Sequence, residues 1–80
     1  MTVRVLAFAR LRELMAAEIS LDVGAGSSVG DAWAALMREY PALSDFAETT
    51  RIARNGRLVT ATEVLSAGDE LALLPPVGGG

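Results

Sequence analysis

The stretch Ser28–Pro41, SVGDAWAALMREYP, is the one long helical signature in the chain. Ser28 followed three residues later by Asp31 has the form of a capping box, with Asp in place of the more usual Glu. Val29, Ala32, Trp33, Leu36, Met37 and Tyr40 fall at i, i+3, i+4, i+7, i+8 and i+11, a single face of a 3.6-residue period. Pro41 stops the helix, because its ring cannot follow a helical residue without strain. One helix with one apolar stripe covers one face of one sheet. The flanking segments must therefore supply the strands.

Upstream, Val3–Ala9 reads VRVLAFA and is apolar on both faces, with Val3, Val5 and Ala7 on one and Leu6 and Phe8 on the other. That pattern predicts a strand packed on one side and partly covered on the other. Arg10–Ala17 has helix-forming composition but is too short to stand alone, and reads as a turn-like connection. Glu18–Val23 alternates strictly and predicts a half-buried strand pairing antiparallel with the first. Downstream, Ala42–Thr50 is open between coil and a short helical turn around Leu43 and Phe46. Asn55-Gly56 between Ile52–Arg54 and Arg57–Val59 predicts a hairpin, since Asn-Gly supplies the positive φ of a type I′ turn. Thr60–Ala67 reads as a connection. Glu70–Leu74, ELALL, predicts the last strand, ended by Pro75-Pro76. The order β-β-α-β-β-β describes a two-layer α+β domain with a mixed sheet. Its first and last strands, the most apolar, sit centrally and side by side. This is the arrangement of a ubiquitin-like β-grasp, here over residues 1–75, with 76–80 as a Gly-rich tail.

Composition removes many functions. The 80 residues are 51% hydrophobic, 5% aromatic and 21% charged, with formal charge -3. They contain no Cys, His or Lys, and all seven basic residues are Arg. No disulfide, thiolate nucleophile, Cys/His zinc site or Ser-His-Asp triad can be built. A Walker A loop and a Schiff base each need the missing Lys. A net-acidic chain lacks the broad positive footprint of a nucleic-acid binder. No apolar run approaches the roughly 20 residues of a membrane span. Met1-Thr2-Val3-Arg4 does not read as a signal peptide. The lack of Cys fits the cytoplasm.

Several features invite a functional reading beside a plain one. Gly24–Gly30 fails the dinucleotide fingerprint, because Val29 stands where glycine is needed, and reads as a loop before a helix. Arg10, Arg12 and Glu13 form either a solvated connection or a surface for an acidic partner. Glu63, Asp69 and Glu70 are turn carboxylates of the usual solvent-facing kind. For Phe8 two arrangements are open. If the helix covers the Val3/Val5 face, then Leu6, Phe8 and Leu74 form an exposed apolar patch, the mark of a partner site. Otherwise Phe8 is core and the valines are peripheral. The tail Pro75-Pro76-Val77-Gly78-Gly79-Gly80 is either a loose terminus or an arm narrow enough to thread another protein's channel, presenting the Gly80 carboxylate.

Phe8-Ala9-Arg10-Leu11-Arg12-Glu13-Leu14, Asn55-Gly56, Gly68-Asp69-Glu70 and Pro75–Gly80, taken together, resemble the small subunit of molybdopterin synthase. The resemblance runs over the whole chain. It implies a non-catalytic sulfur carrier in molybdenum cofactor biosynthesis. Gly80 would be adenylated by an ATP-dependent, E1-like activating enzyme and converted by a sulfur donor to a thiocarboxylate. The tail Pro76, Val77, Gly78 and Gly79 would carry it into the large subunit, which holds the active site of a heterotetramer. No tightly bound cofactor or metal is implied. Phe8 and Arg12 match partner-surface positions. Leu74 stands where an aromatic residue is common, Gly78 where Ser, Ala or Thr is, and Arg54 where an apolar residue is usual, which predicts an exposed strand end at Arg54. Other readings are a sulfur carrier for thiazole synthesis, a ubiquitin-like protein modifier, and a β-grasp interaction module with an inert tail.

Overall fold

The computed structural model describes residues 1–75. Five strands form one mixed sheet: β1 Thr2–Ala7, β2 Glu18–Asp22, β3 Arg51–Arg54, β4 Arg57–Val59 and β5 Glu70–Leu74, in the spatial order β2-β1-β5-β3-β4. β1 pairs antiparallel with β2 and parallel with β5, and β3 is antiparallel to both β5 and β4. The two most apolar strands are neighbours inside the sheet, as their composition predicts. Ubiquitin-like β-grasp topology follows directly.

Two helices complete the domain: α1 at Ala9–Leu14 and α2 at Val29–Glu39. α2 starts where its cap dictates. The Ser28 hydroxyl accepts from the Asp31 N–H at 3.1 Å, and the Asp31 carboxylate accepts from the Ser28 N–H at 3.0 Å. Its stripe buries Val29, Ala32 and Leu36, with Trp33, Met37 and Tyr40 packed at the margin. Against it lie Val3, Val5, Leu21, Leu71 and Leu73, all buried. The stretch Pro41–Phe46 is a 3₁₀ helix that buries Leu43.

The connection after β1 corrects the sequence reading. Ala9–Leu14 is a six-residue helix, held by burial of Leu11 rather than by intrinsic propensity. Burial of one apolar face is what lets a helix shorter than the isolated limit persist. Its first residue, Ala9, has φ 50. A Cβ in the left-handed region costs about 1–2 kcal/mol. Ala9→Gly is therefore expected to stabilise the fold by about 1 kcal/mol, raising Tm by roughly 4–8 °C, as a thermal melt would read.

The Asn55-Gly56 turn forms as its residues require, with φ 50 and 86. Asn55 also clamps β5: its N–H donates to the Glu70 carbonyl at 2.8 Å, and its side-chain oxygen accepts from the Glu70 N–H at 2.9 Å.

Candidate functional site

Strand register determines what the helix-free face presents. Leu6 lies beside Ala72, Ala72 beside Ala53, and Ala53 beside Leu58. Directly paired residues point to the same side of a sheet. These four therefore make an apolar row across β1, β5, β3 and β4, on the side opposite Val3, Val5, Leu71 and Leu73. Two alanines in the middle make the row a shallow trough. Leu58 is 54% exposed at one end. Next to the row, one residue pair further along, Leu74 lies beside Arg51 at the end of the sheet. Phe8 follows β1 there and is 44% exposed. Of the two arrangements open for Phe8, the structure takes the one in which the valines are core.

Charge bounds the opposite side of the trough. Arg4 lies beside Glu70 in register and pairs with its carboxylate, and its guanidinium lies 3.8 Å from Glu18. These contacts are exposed and screened, worth about 0–1 kcal/mol. Their effect is to border an apolar strip with charge, the usual anatomy of a protein interface. Arg12 is exposed on α1, and its N–H reaches the Phe8 carbonyl, so the two residues stand one helical turn apart. Arg10 and Glu13 pair across solvent.

β5 carries both Leu74 and the chain leading to the tail, and a polar cluster fixes its start. The Asp69 carboxylate accepts from the Ser66 N–H and Arg54 Nε, each at 2.7 Å, and from Asn55 Nδ2 at 2.9 Å. Arg54 also donates to Glu63 at 3.0 Å. Two expectations are corrected here. Arg54 is not at an exposed strand end: its side chain is 22% exposed and lies on the helix side of the sheet, folded over the loop before β5. Asp69 is not a solvent-facing turn residue but is buried. The Ser66 N–H, then Arg54 and Asn55, hold its carboxyl down to about 2 against the opposing effect of burial. A carboxylate depressed when folded contributes stability above its unfolded pKa and loses it as pH falls through the folded value. Stability should therefore decline by about 1–2 kcal/mol between pH 4 and pH 2, after allowance for screening. Asp69→Asn should flatten that limb in denaturant unfolding at a series of pH values.

A cleft of about 370 Å³ opens on the helix side, between Trp33 on α2 and Ile52 and Val59 on β3 and β4. No carboxylate, imidazole or amine side chain is among its lining residues, so it offers no acid–base pair. Among the described residues, no group of three or more His, Cys, Asp or Glu is placed to hold a metal ion. No helix among them is long and apolar enough to cross a membrane.

Of the residues singled out in sequence, Phe8, Arg12 and Leu74 lie at one end of the sheet, around the exit of β5. Pro76, Val77, Gly78, Gly79 and Gly80 lie outside the described residues, as does the proposed boundary of the tail. Sequence reading missed Leu58, Ala72 and Ala53. Leu58 could have been found, because adjacent residues in a two-sided strand cannot both face the core, and Val59 already does.

The ThiS family model matches residues 5–80. The molybdopterin synthase sulfur carrier subunit of Arabidopsis thaliana is 32% identical over 79 residues, which cover 98% of this chain and 82% of that protein. The crystal structure of SAMP1 from Haloferax volcanii, small archaeal modifier protein 1, is similar over 100% of both chains, with TM-score 0.90 and 36% identity. A chain of the protein–protein complex of subunits 1 and 2 of the molybdopterin-converting factor from Helicobacter pylori is similar over 100% of both chains, with TM-score 0.73 and 26% identity. The chain thus belongs to the ThiS family, as a ubiquitin-like β-grasp protein similar to the small, sulfur-carrier subunit of molybdopterin synthase.

Proposed function

We propose that the chain is the sulfur carrier of a molybdopterin synthase, working through the carboxylate of Gly80. The observation that carries this reading is the apolar trough Leu6–Ala72–Ala53–Leu58, with Phe8 and Leu74 beside the exit of the strand that leads to the tail. A large subunit seated on that trough receives the tail at its own edge. The Helicobacter pylori complex, in which subunit 1 is bound to subunit 2, supports this choice of partner.

The chemistry asks little of this chain's side chains. A carboxylate is a poor electrophile, and an E1-like enzyme spending ATP makes it an acyl-adenylate with AMP as leaving group. A sulfur donor then displaces AMP and leaves a thiocarboxylate. Gly79 and Gly80 have no Cβ, so the arm can pass through a narrow channel and the acyl carbon can be approached closely. Sulfur then passes to a pterin precursor within the large subunit, in a cytoplasmic heterotetramer.

The test is reconstitution. Thiocarboxylated chain, large subunit and pterin precursor should yield the dithiolene, and unmodified chain should not. Equal yield from both would end this reading. A second reading, that of a protein modifier, is favoured by the similarity to small archaeal modifier protein 1 over the full chain. In the presence of the activating enzyme it predicts isopeptide bonds to lysines of other proteins, visible after trypsin digestion as branched peptides that carry Leu58–Gly80, since Arg57 is the last tryptic site in the sequence.

A further inference from the structure

The outer edge of the sheet at β4 carries an unmet backbone pair. The Asn55 N–H donates to the Glu70 carbonyl at 2.8 Å. Backbone bonding alternates along an antiparallel strand, so Ala53, opposite Ala72, also turns its N–H and C=O toward β5. Toward β4, Ala53 is therefore the non-bonded partner of Leu58. The Asn55-Gly56 turn agrees, because a β-turn bonds its first and fourth residues, here Arg54 and Arg57, which places Leu58 at the next, non-bonded step. Leu58 thus turns its own N–H and C=O away from β3. β4 is the last strand of the sheet, and among the described residues neither group has a hydrogen-bond partner.

The cleft of about 370 Å³ lies against this edge, lined by Leu58 and Val59 together with Trp33, Ile52 and Ala61. One wall is fixed by backbone bonds from the Val29 N–H to the Glu63 carbonyl at 2.8 Å and from the Gly30 N–H to the Ala61 carbonyl at 2.9 Å. Gly30 permits that approach, since a Cβ there would stand 3.3 Å from the Ala61 oxygen. The volume falls within the range of ligand sites, about 300–1,000 Å³. Charge stands at the other end of β4. Arg57 pairs in register with Arg54, shares its side of the sheet with Val59, and has a side chain 80% exposed. The carboxylate beside it, Glu63 at 3.9 Å, is held more closely by Arg54 at 3.0 Å.

We propose that the β4 edge receives an extended segment of a partner protein, antiparallel to β4, that reads apolar, β-branched, acidic. The middle residue pairs with Leu58, accepting from its N–H and donating to its C=O. A single guest residue satisfies both groups only in the antiparallel arrangement. The residue before it, opposite Val59, places a large apolar side chain in the cleft. The residue after it, opposite Arg57, brings a carboxylate to the guanidinium. β4 has three residues, too few for a long added ladder, so selectivity falls to the two flanking side chains. The cleft and Arg57 lie on the side of the sheet away from the trough, and the site does not depend on the sulfur-carrier reading.

The probe is the peptide Ac-Ser-Phe-Val-Glu-Ser-NH2, titrated into the isotope-labelled full chain and followed by NMR. Saturable shifts are expected at the Leu58 amide and the Trp33 indole N–H. Methylation of the probe's Val nitrogen removes one hydrogen bond and should weaken binding about fivefold. Replacing its Phe with Ala should cost at least about tenfold, from lost apolar burial. Arg57→Glu, at an exposed position, should reverse the preference toward a probe with Lys in place of Glu. Absence of saturable shifts at about 5 mM probe, where even a very weak complex forms, would overturn the proposal. So would shifts confined to Leu6 and Ala72 in the trough, or equal binding of the reversed probe Ac-Ser-Glu-Val-Phe-Ser-NH2. Reconstitution of sulfur transfer does not involve this peptide, so the two readings fail separately.

Discussion

Deletion of Gly80 should reduce sulfur transfer to background, and so should one residue added after it, with the fold intact in both. Either change displaces the terminal carboxylate by about 3.5 Å along an extended chain. Misplacement of a reacting group by 1 Å can cost about 10²-fold, so a loss of at least that size is expected here. β5 ends at Leu74, and the core residues run from Val3 to Leu73, all before the tail, so stability has no reason to change. Single-turnover sulfur transfer with large subunit in excess reads the first quantity, and a thermal melt the second. Substantial transfer by either variant would show that the reacting group is elsewhere.

The second large effect concerns the trough. Phe8→Ala should weaken binding to the large subunit by roughly 1–3 kcal/mol, the range of an aromatic anchor at an interface. Leu58→Asp should do more, because it places a carboxylate where the partner would strip its water, at about 3–5 kcal/mol. Both residues are substantially exposed in the free chain, so neither change opens a cavity. Calorimetric titration against the large subunit measures the loss. Unchanged affinity for both variants would move the interface off this face of the sheet.

The fold was largely legible because its signals are local. Ser28 and Asp31 cap α2, Asn55-Gly56 closes β3 onto β4, and Pro75 ends β5, each for reasons contained in a few neighbouring residues. Where the reading failed, the cause was distant. α1 exists because Leu11 is buried by residues far along the chain, which its own composition does not reveal. Arg54 and Asp69 satisfy each other across 15 residues, so each looked like an ordinary solvent-facing charge until β3 and the loop before β5 were placed together. The trough was half legible. Alternation put Leu6 and Phe8 on one face of β1, but joining Leu58 and Ala53 to it required the register of four strands.

The most direct measurement is the intact mass of the chain after incubation with ATP, an E1-like adenylating enzyme and a sulfur donor. A sulfur carrier gains the mass of one oxygen-to-sulfur exchange, confined to the C-terminal fragment, and loses the gain when Gly80 is deleted. Recovery of the chain with its mass unchanged, while a known carrier is converted in the same mixture, would contradict the sulfur-carrier reading.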